Sequence, residues 1–158
     1  MRACWLKWVG RDWSISADYI WLNYSDANRD RIGALRVTDK LPSIYVTNSL
    51  SAFSLLEARE DCELCLVGGM YRRRTAAFVG PMAEDALRAL GIDTAFIGAN
   101  GILDGDVSTS NMDEGRIQQL AFSKADTRYL IADSSKIGRR YFCPPLPAQG
   151  YRFKMTRK

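Results

Sequence analysis

Histidine is absent from this 158-residue chain. Its absence removes Ser-His-Asp and Cys-His catalysis, imidazole as a general base, and the commonest nitrogen ligand for a metal. Any enzyme built on this sequence would have to work with carboxylates, lysine or tyrosine. Cysteine is sparse, occurring only as Cys4, Cys62, Cys65 and Cys143. Cys62 and Cys65 have the C-x-x-C spacing, but no second such pair follows and no histidine can complete a zinc site. Glu63 to Val67 reads as a strand, and side chains three apart on a strand point to opposite faces. The thiols are therefore expected to act as small apolar residues, with no metal and no cofactor. Long apolar runs are missing too. None approaches the roughly 20 residues that span a bilayer, and Met1 to Val9 contains no stretch suited to a signal peptide. A cytoplasmic location and no membrane contact are the expectations.

What is present suits a single globular domain. Hydrophobic residues make up 47% and charged residues 25%, enough to bury a core and to keep it dissolved. The net charge of +4 is unevenly spread: from Lys136 onward there are seven basic residues and no acidic one, which leaves −3 for the rest. A mildly acidic body with a basic end is not the charge pattern of a domain that reads DNA. The basic end reads as solvated. The alternative is a nucleic-acid-binding tail, in which Tyr141, Phe142, Tyr151 and Phe153 interleave with the charges.

Several segments repeat one rhythm: a short apolar run, a small polar loop, then an amphipathic helix. Ser43-Ile44-Tyr45-Val46 leads into Thr47-Asn48-Ser49, followed by a helix pattern with Leu50, Phe53, Leu56 and Ala58. Leu64 to Val67 ends at Gly68-Gly69. Thr94 to Ile97 ends at Gly98-Ala99-Asn100-Gly101. Arg128 to Ala132 ends at Asp133-Ser134-Ser135-Lys136. The runs are nearly continuous in apolar residues, as strands covered on both faces should be. Pro81 after Gly80 marks a helix start, with Ala83, Ala86, Leu87 and Leu90 as its buried stripe. Asn111 with Glu114 is a capping-box pattern, ahead of Ile117, Leu120 and Ala121. Tyr19 to Leu22 fits an opening strand and Asn28 to Val37 a helix, with Ile32 and Leu35 inward. The alternation predicts an α/β fold with a mainly parallel sheet flanked by helices.

In such a sheet, ligands bind in the crevice beyond the carboxyl ends of the strands. The residues expected there are Thr47, Asn48, Ser49, Gly68, Gly69, Asn100, Gly101, Ser134, Ser135 and Lys136. Glycines let backbone N–H groups approach a ligand, and hydroxyls, amides and an ammonium suit a small phosphorylated polyol. Each residue also has a plainer reading. Asn48 or Ser49 would serve equally as a helix cap. Arg72, Arg73 and Arg74 either clamp a phosphate or form a solvated run, a reading that suits Arg73 and Arg74 best. Glu114 either accepts from sugar hydroxyls or closes its capping box. Lys136 either meets a phosphate or caps carbonyls, and Asp104 and Asp106 read as turn residues.

These pieces together resemble the sensor domains of DeoR-family transcriptional repressors. Leu66-Val67-Gly68-Gly69-Met70-Tyr71-Arg72 with Thr75 and Gly80 is similar to the family's GG-x-x-R…G signature. The Thr47-Asn48-Ser49-Leu50 loop, Ala95 to Ile102, Glu114 to Ala121 and Asp133 to Lys136 follow in the family's order, from about Leu41 to Phe142. The last three stretches are most similar to repressors of lactose phosphotransferase systems. The resemblance implies a fold like that of ribose-5-phosphate isomerase, glucosamine-6-phosphate deaminase and CoA transferases. It implies binding of a phosphorylated sugar, homo-oligomers, no catalysis, and DNA contact only through a winged helix-turn-helix. A sugar-phosphate isomerase or deaminase on the same fold, with Glu114 or Asp133 as base, is the alternative.

Three departures accompany the resemblance. No winged helix fits before residue 15. The family's D-x-G-T-T loop falls on Asn23-Tyr24-Ser25-Asp26-Ala27, without the glycine or the threonines. After Lys136 the family's further strand and helix are replaced by Cys143-Pro144-Pro145-Leu146-Pro147 and a basic stretch. The expected organisation is an unassigned segment 1–14, a sugar-phosphate-sensing domain 15–142 and a basic proline-containing tail 143–158, in a product truncated or frameshifted at both ends.

Overall fold

The computed structural model describes residues 6–9, 12–15, 19–23, 43–58, 60, 62–142, 150 and 152–156. The expected helix 28–37, the Asp26 loop and the proline cluster 144–147 lie outside them.

Six strands form one all-parallel sheet: β3 (Tyr19–Asn23), β4 (Ser43–Thr47), β5 (Cys62–Leu66), β8 (Ile92–Gly98), β11 (Ala125–Asp133) and β12 (Arg152–Thr156). Their spatial order is β12-β11-β8-β3-β4-β5. The chain therefore starts in the middle with β3, steps outward through β4 and β5, then returns to the other side of β3 with β8. Strand order reverses between β3 and β8, where a doubly wound sheet opens a crevice at its carboxyl end. Alternating apolar runs and helices made the parallel sheet legible, and the buried runs of β8 and β11 confirm strands covered on both faces. Phe96 and Tyr129, paired in register, stack with ring centroids 4.9 Å apart.

Among the described residues three α-helices pack on the sheet or on each other: α1 (Leu50–Leu56), α2 (Pro81–Ala89) and α3 (Met112–Lys124). In α3, Glu114, Gly115, Ile117, Gln118, Ala121 and Phe122 are buried, the spacing of a broad inward stripe. Ala83 and Leu87 form the buried line of α2, whereas Ala86 is exposed, because a nine-residue helix over a flat neighbour buries only one turn-to-turn row. In α1 the buried pair is Ala52 and Leu56, one turn apart; Leu50 faces out and Ala58 lies beyond the helix. Alanines recur through the core (Ala83, Ala95, Ala99, Ala121, Ala125 and Ala132) between the larger Leu87, Ile97, Ile117, Phe122 and Leu130. Small side chains at these points let helices approach the sheet closely, which favours dense packing.

The described residues also form three two-stranded hairpins: β1 (Leu6–Val9) with β2 (Asp12–Ile15), β6 (Met70–Arg72) with β7 (Ala77–Val79), and β9 (Gly101–Leu103) with β10 (Asp106–Ser108). The segment 1–14, unassigned from its residue pattern, thus contributes most of the first hairpin. Within 143–158, read as a tail, Arg152–Thr156 instead adds an edge strand beside β11. Phe153 and Met155 alternate with Arg152 and Lys154 there, a period-two pattern masked by the surrounding charge. Asp104 and Gly105 link β9 to β10 with φ of 53° and 85°. Positive φ at both central residues of a two-residue link is what the right-handed strand twist favours, and Asp-Gly supplies it.

Candidate functional site

In a parallel sheet the carboxyl ends share one rim, so the loops after β4, β5, β8 and β11 all open there. The expected residues lie on or beside that rim, but their side chains are used differently.

The loop after β4 is closed. Thr47, Asn48 and Ser49 are each 0% exposed. The Thr47 hydroxyl accepts from the Ser49 N–H at 3.0 Å, and the Ser49 hydroxyl accepts from the Ala52 N–H at 3.2 Å, capping α1. Asn48 donates from Nδ2 to the Phe78 carbonyl at 2.8 Å, while its own carbonyl accepts the Phe78 N–H at 2.7 Å. Ser49, rather than Asn48, is the cap; Asn48 instead pins β7 to the main sheet. After β5, Gly68 is exposed and a Cβ there would meet nothing within 4 Å. Gly69 is the opposite case. With φ of 149° it brings the chain so close to α2 that a Cβ would lie 2.8 Å from the Val79 carbonyl oxygen and 3.1 Å from the Ala83 Cβ.

The β6–β7 hairpin meets the start of α3 through Glu114, which is buried. The Thr75 hydroxyl donates to its Oε1 at 2.5 Å, and Arg72 Nε stands 2.9 Å from the same oxygen, too poorly aligned for a hydrogen bond but close enough for an ion pair. Asn111 Oδ1 accepts the Glu114 N–H at 3.0 Å. Only this half of the capping box forms: the Glu114 carboxylate turns instead to a guanidinium and a hydroxyl, and the full charge on the guanidinium adds an ionic attraction that a backbone N–H lacks. Arg72 and Glu114 were separate candidates in the sequence. The structure joins them in one cluster, and Thr75 is the member whose contact sequence reasoning missed. Its place within the GG-x-x-R signature was the available signal.

The exits of β8 and β11 are looser. Asn100 Oδ1 accepts from the Thr109 hydroxyl at 3.0 Å and more distantly from the Ser110 N–H at 3.4 Å. Gly101 passes under residue 139: a Cβ would overlap the Arg139 carbonyl and lie 3.0 Å from the Tyr141 ring. Asp133 caps a single 3-10 turn, Ser134–Lys136, by accepting the Ser135 N–H at 2.8 Å and the Ser135 hydroxyl. Lys136, at the end of that turn, is half-buried and makes no hydrogen bond or ion pair with a described residue. The Ile102–Ile137 bridge and the Gly138 N–H to Ile102 carbonyl bond at 2.8 Å hold it beside β9.

The exits of β5 and β11 are four strand spacings apart, roughly 19 Å, too wide for one small molecule to touch both sheet exits. The β8–β11 corner and the hairpin corner are distinct, connected by the chain from Asn100 through Thr109 and Asn111 to Glu114. The switch point between β3 and β8 lies between them. Asn23 ends β3 there, and the rest of its loop is outside the described residues.

A model of the DeoR C-terminal sensor domain matches residues 17–152, and the chain belongs to that family. Over 94 residues it is 43% identical to the lactose phosphotransferase system repressor of Lactococcus lactis subsp. lactis, covering 60% of this chain and 37% of that protein. It is 41% identical over 114 residues to the HTH-type transcriptional regulator GlpR of Haloferax volcanii, covering 68% of this chain and 44% of that protein. The lactose phosphotransferase system repressor of Staphylococcus epidermidis is 38% identical over 99 residues, with 61% and 39% covered. The chain thus spans less than half the length of these relatives, all of them named as transcription regulators. Among the described residues no helix is long and apolar enough to cross a membrane.

Proposed function

We propose that this chain is the effector-binding part of a cytoplasmic repressor of carbohydrate metabolism, and that its effector is a small phosphorylated sugar. One observation carries the reading: the loops that bear the family signature leave the same rim of one parallel sheet, on either side of the β3–β8 switch point. Beside that point Asn100 presents an amide and Lys136 an ammonium with no described partner, while Gly68 presents open backbone at the hairpin corner. These are groups for hydroxyls and for a phosphate. Thr47, Asn48, Ser49, Gly69 and Gly101 act by shaping the rim, and Arg72 and Glu114 form its second polar corner.

A ligand changes a repressor only if it binds one conformation or assembly more tightly than another. Here the bias would pass, through a homo-oligomer, to a helix-turn-helix such as the one the name of the Haloferax volcanii regulator carries. An isomerase or deaminase reading has less support. Glu114 is already engaged by Arg72 and Thr75, and Asp133 by Ser135, so neither carboxylate is placed as an idle base.

A thermal-unfolding screen against pentose, hexose and ketose phosphates and their unphosphorylated parents tests the proposal. A ligand at 100 times its dissociation constant adds about 2.7 kcal/mol of stability, and the phosphorylated member of a pair should stabilise more. Equal shifts for sugars with and without phosphate, or no shift with any of them, would defeat it.

A further inference from the structure

The hairpin corner has a feature that the sensor reading, on which this inference rests, does not by itself require. Arg72 offers five N–H donors, and its ion pair with Glu114 involves only Nε. Nη1 and Nη2 make no hydrogen bond to a described residue, and the Arg72 side chain is 29% exposed. The next two residues, Arg73 and Arg74, lie in the turn of the hairpin, are exposed, and have no ion pair among the described residues. Of these three consecutive guanidinium groups, Arg72 alone is ion-paired, with a single carboxylate.

Two arrangements follow for an anion arriving here. It displaces Glu114 from Arg72, or it docks on the Nη edge while Glu114 stays. Magnitudes decide between them. Glu114 is buried, its side chain only 10% exposed, and stripping the partner from a buried carboxylate leaves an uncompensated charge, which is strongly unfavourable. Docking on the unused Nη edge carries no such cost, and two parallel N–H donors match two phosphate oxygens. The geometry points to Glu114 and Thr75 as positioning residues that hold the Arg72 guanidinium by its Nε side, so that its Nη fork receives the phosphoryl group of the effector, with Arg73 and Arg74 adding attraction. Thr75 fixes the carboxylate, the carboxylate fixes the guanidinium, and the Asn111 cap anchors the N–H of Glu114.

The test is binding of inorganic phosphate, followed by phosphorus NMR, to the full chain and to variants whose folding is checked by urea unfolding. Arg72→Gln and Arg72→Lys should both weaken phosphate by about tenfold, since a lysine keeps the charge and loses the fork. Glu114→Gln should also weaken it severalfold, although it removes a negative charge. In the Arg72→Gln background Glu114→Gln should have no further effect, the non-additivity of groups that act through one another. Thr75→Val, which changes no charge, should give a smaller loss in the same direction and serves if Glu114→Gln unfolds. Tighter phosphate binding in Glu114→Gln, unchanged binding in Arg72→Gln, or additive effects would each overturn the assignment. Sugar phosphates that stabilise the Arg72→Gln variant as well as the parent chain would overturn it while leaving the sensor reading intact. Phosphate bound at Arg72 with no sugar phosphate stabilising the chain would sink the sensor reading alone.

Discussion

The two corners of the rim are both polar, yet they use their polar groups differently. At the hairpin corner Asn48, Ser49, Thr75 and Glu114 are engaged within the protein, whereas the Nη groups of Arg72 and the guanidiniums of Arg73 and Arg74 make no bond to a described residue. Asn48 holds Phe78, Ser49 caps α1, and Glu114 gathers Arg72 and Thr75. At the β8–β11 corner Asn100 and Asp133 are held by near neighbours in the chain, and Lys136 makes no hydrogen bond or ion pair with a described residue. The hairpin corner needs those bonds because β6 and β7 are three-residue strands outside the main sheet, with little apolar area of their own to bury. The β8–β11 corner is supported from beneath by the longest strands of the sheet. The difference teaches that being polar and on the rim does not make a residue a ligand contact. Where the backbone is poorly supported, polar side chains are recruited to hold it.

Breaking the helix that ties both corners should have the largest effect. Phe122 on α3 is among the largest fully buried side chains, so Phe122→Ala should cost about 3–5 kcal/mol in urea unfolding. Faster amide exchange should then appear at both the Glu114 and Asn100 ends. Next comes a contrast within one dipeptide. Gly69→Ala should destabilise by about 1–3 kcal/mol, from strained φ and the clash with Val79. Gly68→Ala, in open space, should stay within about 0.5 kcal/mol, and equal costs would show that the hairpin does not press on α2 as described. Ser49→Ala should remove about 1 kcal/mol, the value of a helix cap, with sugar-phosphate binding retained; loss of binding at full stability would move Ser49 from scaffold to contact. The smallest stability effect belongs to Lys136→Gln, within about 0.5 kcal/mol of the parent. It should nevertheless reduce the thermal shift given by a phosphorylated sugar, and an undiminished shift would place the effector away from the β8–β11 corner.

Much of the scaffold was legible because it rests on local pattern. The cores of β4, β5, β8 and β11, the Pro81 start of α2, the Asn111 cap and the Asp104–Gly105 turn were each visible in a few adjacent residues. The edge strand at Arg152–Thr156 was not, because charge at alternate positions hid a strand that is stabilised by pairing with β11. Nor was the joining of Thr75 to Glu114 across 39 residues, since no local pattern encodes which distant carboxylate a hairpin will find. The helix at 28–37 and the loop at Asp26 fall outside the described residues and stand as expectations.

By itself the sequence determined the alternation of apolar runs and polar exits, and with it a parallel sheet, because hydrophobic periodicity and turn chemistry act within a few residues of each other. It also determined the family, through short signatures in a fixed order. Only the tertiary structure decided that β3 runs between β4 and β8, that the rim has two corners, and that Glu114 belongs to Arg72. Those facts follow from which distant segments bury each other's surface, and strand order and long-range ion pairs exist only once that packing is complete.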